Sequence, residues 1–494
     1  MAARARKMRE FGDYQTPDVL SRAVCELLRD LGASPKSIVE PTCGTGAFLR
    51  ASLDVFPECV TPLGFDINPA YVRIARTATR ARVHCRDFFQ MDWRVTLDDL
   101  PEPILVVGNP PWVTNAAVST WGGTNVPIKS NNIQRLAGLD AITGKSNFDI
   151  SEWMMLRLLE CLTGRSAVLA MLCKTLVARK VLQQVWTQKF SIREAAIYSI
   201  SAAEHFNAAV DACLLVCTLE PGAASQQCSV YADLGAVKPN STVALHDGRL
   251  VADRNGITKY GHLYGRSPVK WRSGVKHDCS RIMELRPKGN NTFMNGFGDI
   301  VELEQTFLYP MLKSSEVAKQ QPTPSRYMLV PQRCVGDDTS IIRLQAPRTW
   351  EYLQAHANRL DKRASIIYRK RPRFSVFGVG PYSFSPWKVA ISGFYKHLDF
   401  CCVGPIGAKP VVLDDTCYFL PCHTEKDAQL LQRLLNSVAA KSFFQSFIFW
   451  DAKRPITGSL LDTLDLLALA AECGVSEPTF LFAPTKLPLL DLRK

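Results

Sequence analysis

No apolar run in the 494 residues approaches the ~18 needed to cross a bilayer, since even the stretch from Ala167 to Ala178 is broken by Lys174. A membrane helix and a membrane partner are therefore not expected. The N-terminus lacks the apolar core and small-residue cleavage site of a secretory signal, and with Arg4, Arg6, Lys7 and Arg9 it reads as a short solvated tail. Acidic residues are in deficit. Forty-six Asp and Glu face 59 Lys and Arg, and the formal charge of +13 attracts a polyanion, with nucleic acid the natural candidate. No CxxC pair occurs among the 16 cysteines: Cys401 and Cys402 are adjacent, and Cys417 and Cys422 have no histidine at finger-like spacing. No zinc site or other metal is expected. Unpaired buried thiols suit a reducing cytoplasm, where a nucleic-acid enzyme would be nucleoid-associated. Internal repeats and low-complexity tracts are absent too.

The length suits two or three domains. Up to about residue 220, short β-rich runs alternate with helical spacing, as in a parallel sheet with crossover helices. Strands are expected at Ser37–Glu40, Val60–Phe65, Arg82–Cys85, Ile104–Val107, Ala167–Leu172, Ala195–Ser199 and Ala212–Leu219. Helices are expected at Pro17–Leu31, Ala47–Val55, Pro69–Ala78, Phe148–Leu162 and Thr175–Lys189. The fold class is thus α/β, a doubly wound Rossmann-like domain over 1–220. The small, polar segment Pro221–Gln227 fits a linker. From 228 to 494 the alternation gives way to short strands, Pro, Gly and clustered basic and aromatic residues, which predicts a second domain of α+β or mixed character.

Ser37-Ile-Val-Glu-Pro-Thr-Cys-Gly-Thr-Gly-Ala-Phe-Leu49 reads as strand, glycine turn and helix start. Gly44 and Gly46 allow close backbone approach to a ligand at the carboxyl end of the first strand. A dinucleotide fingerprint would need a third glycine where Leu49 stands, which argues against NAD. Asp66 ends the second strand about 20 residues on, where an acid accepts hydrogen bonds from ribose hydroxyls. After the third strand, Asp87 is placed to take an adenine amino group and Phe88 to pack on the ring. Three such residues after three consecutive strands point to an adenosine-containing cofactor.

Gly108-Asn-Pro-Pro-Trp112 follows the fourth strand. Pro110 and Pro111 fix φ and remove two backbone donors, leaving carbonyls that only accept. The lone pair of an aromatic amine such as adenine N6 is delocalised into its ring. If Asn109 Oδ1 and the Pro110 carbonyl accept its two N–H bonds, the nitrogen is drawn toward tetrahedral geometry and its lone pair points at a sulfonium methyl. Direct transfer then needs no covalent intermediate and no metal. A base inside a duplex cannot reach such a pocket and must be flipped out, with Trp112 stacking on it and Phe206 a candidate for the opposite face.

On these residues the sequence resembles the amino-methyltransferases of restriction-modification systems, in the subgroup whose catalytic domain precedes the target-recognition domain. The resemblance covers nearly the whole chain. It implies an S-adenosyl-L-methionine-dependent, adenine-N6-specific transferase acting on double-stranded DNA, with any restriction endonuclease on a separate chain, since no nuclease constellation is recognisable here. Tyr14-Gln-Thr-Pro17 is similar to the family's N-terminal element, so Thr16 and Pro17 are implied to hold the methionine part of the cofactor. Glu40, Gly44 and Gly46 match its glycine-rich turn, Asp66 its ribose acid, Asp87 and Phe88 its adenine contacts, and Asn109 to Trp112 its Asn-Pro-Pro-aromatic motif. Asn147–Ile150 resembles the segment lining the cofactor pocket, and Phe206 the second stacking aromatic. The family's commonest last motif residue is Tyr, whereas this chain has Trp112.

In the C-terminal half, Lys270–His277, Leu308–Ser315 and Asp451–Ile456 resemble segments of recognition domains. The run from Arg359 to Arg373 carries seven cations against Asp361, with Tyr368 and Phe374 interleaved, so Arg369, Lys370, Arg371 and Arg373 are expected on phosphates. The rival readings are an N4-cytosine methyltransferase, a glutamine methyltransferase of proteins, which the long basic C-terminal half disfavours, and a DNA-binding regulator on an inactive methyltransferase scaffold.

Overall fold

The computed structural model describes residues 15–113 and 149–475, apart from positions 268, 290 and 453. Tyr14, Asn147 and Phe148 of the segments above lie outside the described residues. The chain divides into two compact units, Met1–Arg254 and Asn255–Lys494.

In the first unit the alternating runs build one ten-stranded sheet. Its strands are β1 (Ser37–Glu40), β2 (Thr61–Asp66), β3 (Arg82–Cys85), β4 (Ile104–Gly108), β5 (Ala167–Lys174), β6 (Ile192–Ile200), β7 (Ala212–Leu219), β8 (Gln227–Tyr231), β9 (Ser241–His246) and β10 (Arg249–Val251). Their spatial order is β10-β9-β8-β6-β7-β5-β4-β1-β2-β3. The five strands from β3 to β5 are parallel, and β7 runs antiparallel between β5 and β6. The described helices are α1 (Asp18–Asp30), α2 (Ala47–Val55), α3 (Pro69–Ala78), α4 (Trp93–Asp98), α5 (Ile150–Leu162), α6 (Thr175–Thr187) and α7 (Ala202–Phe206). Leu20 and Val24 of α1 and Phe48 of α2 pack on Ile38, Leu105, Val107, Ala170 and Leu172. Successive strand residues face opposite ways, and Leu169, Met171 and Cys173 are buried as fully as their neighbours, with α5 and α6 against β5. This is the doubly wound, Rossmann-like arrangement.

The unit boundary corrects the sequence-based division at 220 and 228. Pro221–Gln227 is no interdomain linker: Gln227 opens β8, which pairs in parallel with β6, and β9 and β10 extend the same sheet. A loop within a domain and a linker between domains share one composition, small and polar, because both run over a surface.

Among its described residues the second unit carries two sheets, one antiparallel in the order Arg272–Ser273, Cys417–Cys422, Trp387–Ser392, Cys401–Val403. The other has the order Ile300–Glu302, Thr292–Met294, Glu284–Gly289, Arg326–Leu329, Leu308–Leu312, Val412–Leu413. The amphipathic helices Glu425–Leu435 and Val438–Gln445 follow, completing the mixed α+β character.

Candidate active site

Strands β1, β2 and β3 step to one side and β4 and β5 to the other, so strand order reverses between β1 and β4. The crevice outside the carboxyl ends of those two strands is where open α/β sheets bind ligands. Glu40 and the glycine turn leave β1 there, and Asn109 leaves β4.

Gly44 has φ +49° and Gly46 φ +87°, both in the left-handed region that disfavours a side chain. A Cβ on Gly44 would fall 2.6 Å from Gln15 Oε1, and one on Gly46 would fall 3.2 Å from Ala75 Cβ. Asp66 locks the turn: one carboxylate oxygen accepts from Gly44 N–H and the other from Asn68 N–H, each at 2.8 Å. Glu40 is buried and accepts from Leu49 N–H in the first turn of α2 at 3.0 Å, satisfying one of the helix's orphan donors. Burial pushes its pKa up, the nearby Asp66 charge adds to this, and the Leu49 amide and Arg50 oppose it. Asp87 accepts from Phe89 N–H at 3.0 Å. Phe88 is buried with its ring 4.6 Å from Trp93 and 6.0 Å from Trp153.

The N-terminal element bridges the two halves of the crevice. Gln15 Oε1 accepts from Thr45 N–H at 3.2 Å and lies 3.3 Å from the Thr45 hydroxyl. Thr16 Oγ1 accepts from Asn109 Nδ2 at 3.3 Å, and Pro17 starts α1, its carbonyl receiving the amides of Leu20 and Ser21. The donor end of the Asn109 amide is thus held, which orients its acceptor end. Pro110 is buried and Pro111 half-buried behind it. Trp112 is 6% exposed, its indole N–H donating to the Leu172 carbonyl at 3.3 Å. Its ring meets Phe206 edge to face, 5.1 Å between centroids and 71° between planes. The two residues assigned to opposite faces of one base therefore lie side by side. Lys174 Nζ donates to the Trp112 carbonyl at 2.8 Å and to Asp149 Oδ2 at 2.6 Å. Asp149 in turn caps α5, accepting from Ser151 N–H and from the Ser151 hydroxyl.

Gln15 and Lys174 are functional candidates that sequence reasoning passed over. Lys174 was visible only as a charge interrupting an apolar strand, and Gln15 only as a neighbour of Thr-Pro. Among the described residues, no group of three or more His, Cys, Asp or Glu is placed to hold a metal ion.

In the second unit the basic run splits. Arg369, Lys370 and Arg371 are exposed, Lys370 at φ +59° in a loop, and none makes an ion pair among the described residues. Arg373 pairs with Asp361 at 2.7 Å. Arg363 donates to the carbonyls of Leu360, His277 and Ser375 and lies 3.7 Å over the Tyr368 ring, while Arg359 covers Phe297. These three arginines are engaged within the protein, because an arginine can satisfy its planar fork on local carbonyls and rings as readily as on phosphate. Two recognition-like segments meet at Glu284, whose carboxylate lies 2.6 Å from Lys313 and 3.3 Å from His277. Burial pushes its pKa up, but the His277 and Lys313 bonds outweigh this and hold it at about 2.

No family model matches the sequence. The chain is 45% identical over 469 residues to the type II methyltransferase M.NspV of Nostoc sp., covering 93% of this chain and 97% of that protein. Over 120 residues it is 32% identical to the type II methyltransferase M.CvrRI of Paramecium bursaria Chlorella virus XZ-6E, covering 24% of this chain and 29% of that one. Among solved structures, the type IIL restriction-modification enzyme MmeI in complex with DNA aligns with a TM-score of 0.49 at 13% identity, over 94% of this chain and 74% of that one. The type IIG restriction endonuclease BpuSI aligns with a TM-score of 0.38 at 14% identity, over 91% and 58%. These structural likenesses are too distant to add to the assignment.

Methyltransferases of this type use S-adenosylmethionine. The donor set of the crevice fits it: a turn without side chains at Gly44 and Gly46, and an acid at the end of β2. A carboxylate offers about four acceptor directions, so Asp66 can hold two amides and still receive ribose hydroxyls. With near-complete alignment to a relative at 45% identity, the chain belongs to the type II methyltransferases of restriction-modification systems.

Proposed function

We propose that this chain transfers the methyl group of S-adenosylmethionine to N6 of an adenine flipped out of double-stranded DNA. The observation that carries the reading is Asn109-Pro-Pro-Trp112 at the end of β4, across the strand-order reversal from the glycine turn. The cofactor supplies an electrophilic methyl on sulfonium. Asp66 accepts the ribose hydroxyls and Asp87 the adenine amine. Thr16, Pro17, Glu40, Gly44 and Gly46 shape the cradle, with Glu40 acting through α2. Phe88 contributes as a buried wall behind the adenine subsite.

Asn109 Oδ1 and the Pro110 carbonyl accept the two N–H bonds of the target amine and draw its lone pair out of the ring. Such acceptors stabilise the transition state without reorganising, which is where preorganised polar groups act most strongly. The Trp112 indole offers a stacking face for the extruded base. A base taken between Trp112 and Phe206 requires the two rings to move apart, since their centroids now lie 5.1 Å from one another. Arg369, Lys370 and Arg371 are proposed to contact phosphates from the second unit, read as the target-recognition domain, with Arg373 held beside them by Asp361. Cleavage is assigned to a separate endonuclease chain, and the enzyme to the cytoplasm with its DNA. No described helix is long and apolar enough to cross a membrane.

The test is to sequence DNA, with modified-base detection, from cells expressing the full chain in a host without amino-methylation of its own. N6-methyladenine at one short motif is expected; N4-methylcytosine there would transfer the same chemistry to the cytosine amine. Unmodified DNA throughout would leave the regulator reading. At the mapped site, Asn109→Ala should slow methyl transfer by at least ~10²-fold while cofactor and DNA affinities stay within about a few-fold.

A further inference from the structure

We infer that Lys174 is a positioning residue for methyl transfer: its ammonium ties the Trp112 carbonyl to the Asp149 carboxylate and so fixes the exit of the Asn109–Trp112 segment. The inference rests on the role proposed for that segment.

Lys174 is the last residue of β5, and its side chain is 26% exposed. Its ammonium lies 2.8 Å from the Trp112 oxygen and 2.6 Å from Asp149 Oδ2, and the Asp149 side chain is 6% exposed. Asp149 Oδ1 faces the other way, taking the Ser151 hydroxyl at 2.6 Å and the Ser151 amide at 3.2 Å. Alongside, Ile150 N–H donates to the Val113 carbonyl at 2.9 Å. Residues 112–113, after β4, and 149–150, at the start of α5, are thereby joined at two points, one of them charged.

Two prolines fix φ at positions 110 and 111 and bias ψ of Asn109 and Pro110 to the extended region, but leave ψ of Pro111 and the backbone of Trp112 to be set by the surroundings. Contacts that hold the segment include three hydrogen bonds: Asn109 Nδ2 on Thr16, the Trp112 indole on Leu172, and the Trp112 carbonyl on Lys174. β5 supplies two of the three. A nearly buried ion pair is a poor source of stability, since apolar residues of equal volume often serve as well or better. A charge-assisted bond to a backbone carbonyl is, by contrast, short and directional. What Lys174 provides is therefore geometry, in a reaction whose acceptors must sit at the target amine and where a shift of ~1 Å can cost about 10²-fold in rate.

The full chain is compared with Lys174→Met, Lys174→Arg and Asp149→Asn in single-turnover transfer of a radiolabelled methyl group to duplex DNA carrying the mapped site. Lys174→Met should lower the rate constant by roughly 10- to 100-fold, with reaction amplitude and the Kd values for S-adenosylmethionine and DNA little changed. Lys174→Arg should recover part of the rate, since a guanidinium can donate to both oxygens. Asp149→Asn keeps an oxygen on the Ser151 amide but loses the charge facing Lys174, and should fall between wild type and Lys174→Met. A purely structural role would instead lower amplitude and cofactor stoichiometry while surviving molecules react at the normal rate, and that result overturns the inference. If Lys174→Met does not fold, Asp149→Asn decides, a wild-type rate constant again overturning it. Asn109→Ala run in parallel separates the two claims. A slow Asn109→Ala beside a normal Lys174→Met refutes only the positioning role, whereas a normal Asn109→Ala refutes the proposed catalytic centre itself.

Discussion

Replacing Asp66 with alanine removes an acceptor that works in two directions at once. Towards the protein, it strips the Gly44 and Asn68 amides of oxygens at 2.8 Å. Asn68 is half-buried, so water can replace the lost oxygen there, whereas Gly44 is buried and its unmatched amide costs the fold about 1–3 kcal/mol. Towards the cofactor, loss of a charged acceptor to ribose is worth roughly 1–3 kcal/mol, about 5- to 150-fold in Kd. Calorimetry with S-adenosylmethionine and with S-adenosylhomocysteine separates the contributions, because the two ligands share the ribose and differ at sulfur. Both should weaken by the same factor, with a thermal unfolding curve that remains cooperative. Asp66→Asn should also weaken both, since its amide retains one acceptor but turns an N–H toward the second backbone donor. Affinities for both ligands within about two-fold of wild type in Asp66→Ala would refute the ribose contact, and a loss confined to S-adenosylmethionine would relocate the defect to the sulfonium end.

Removing Arg369, Lys370 and Arg371 together should reduce the salt slope of DNA binding by about 2–3, near 0.9 for each phosphate that is no longer neutralised. An unaltered slope would mean that these exposed charges face only solvent. Lys388 offers a test in the second unit: it is 1% exposed, donates to the Ser385 carbonyl at 2.6 Å, and burial pushes its pKa down to about 7. An unfolded lysine titrates near 10.4, so the folded state is penalised in full below pH ~7 and the penalty fades as pH rises toward ~10.4. Lys388→Met should therefore stabilise the chain by roughly 2–4 kcal/mol at neutral pH and by little near pH ~10. A gain independent of pH in the unfolding midpoints would contradict a buried, titrating ammonium.

Much of the first unit was legible because its elements announce themselves locally. Three strands and the helices Ala47–Val55 and Pro69–Ala78 have the expected bounds, since each couples a hydrophobic period to a boundary signal such as Gly46 or Asn68-Pro69. The short helix Trp93–Asp98 carried too few turns to show a period, although Asp92 caps it. At the site, residues that follow a strand were readable from one-dimensional spacing, which is why Gly44, Gly46, Asp66 and Asn109 converge on one crevice. Lys174 and Gln15 were not, because their partners lie 62 and 30 residues away and no local pattern signals such a pairing. The pairing of Arg373 was hidden for the same reason: its partner Asp361 is twelve residues off and visible only once the loop is folded.

Strands β8 to β10 matter for more than the position of a boundary. Without them the sheet would end on β6, nine residues from Ile192 to Ile200 with one side of their backbone unpaired. A long bare edge is an open template for another chain to dock on, and proteins commonly blunt such edges with short strands. Here the outermost strand is β10, three residues long. A fragment cut at residue 220 would thus expose an aggregation-prone rim, whereas one cut at 254 keeps the sheet closed by its own hairpin. The smallest soluble piece of the first unit is set by the need to cover β6, not by the last residue near the chemistry.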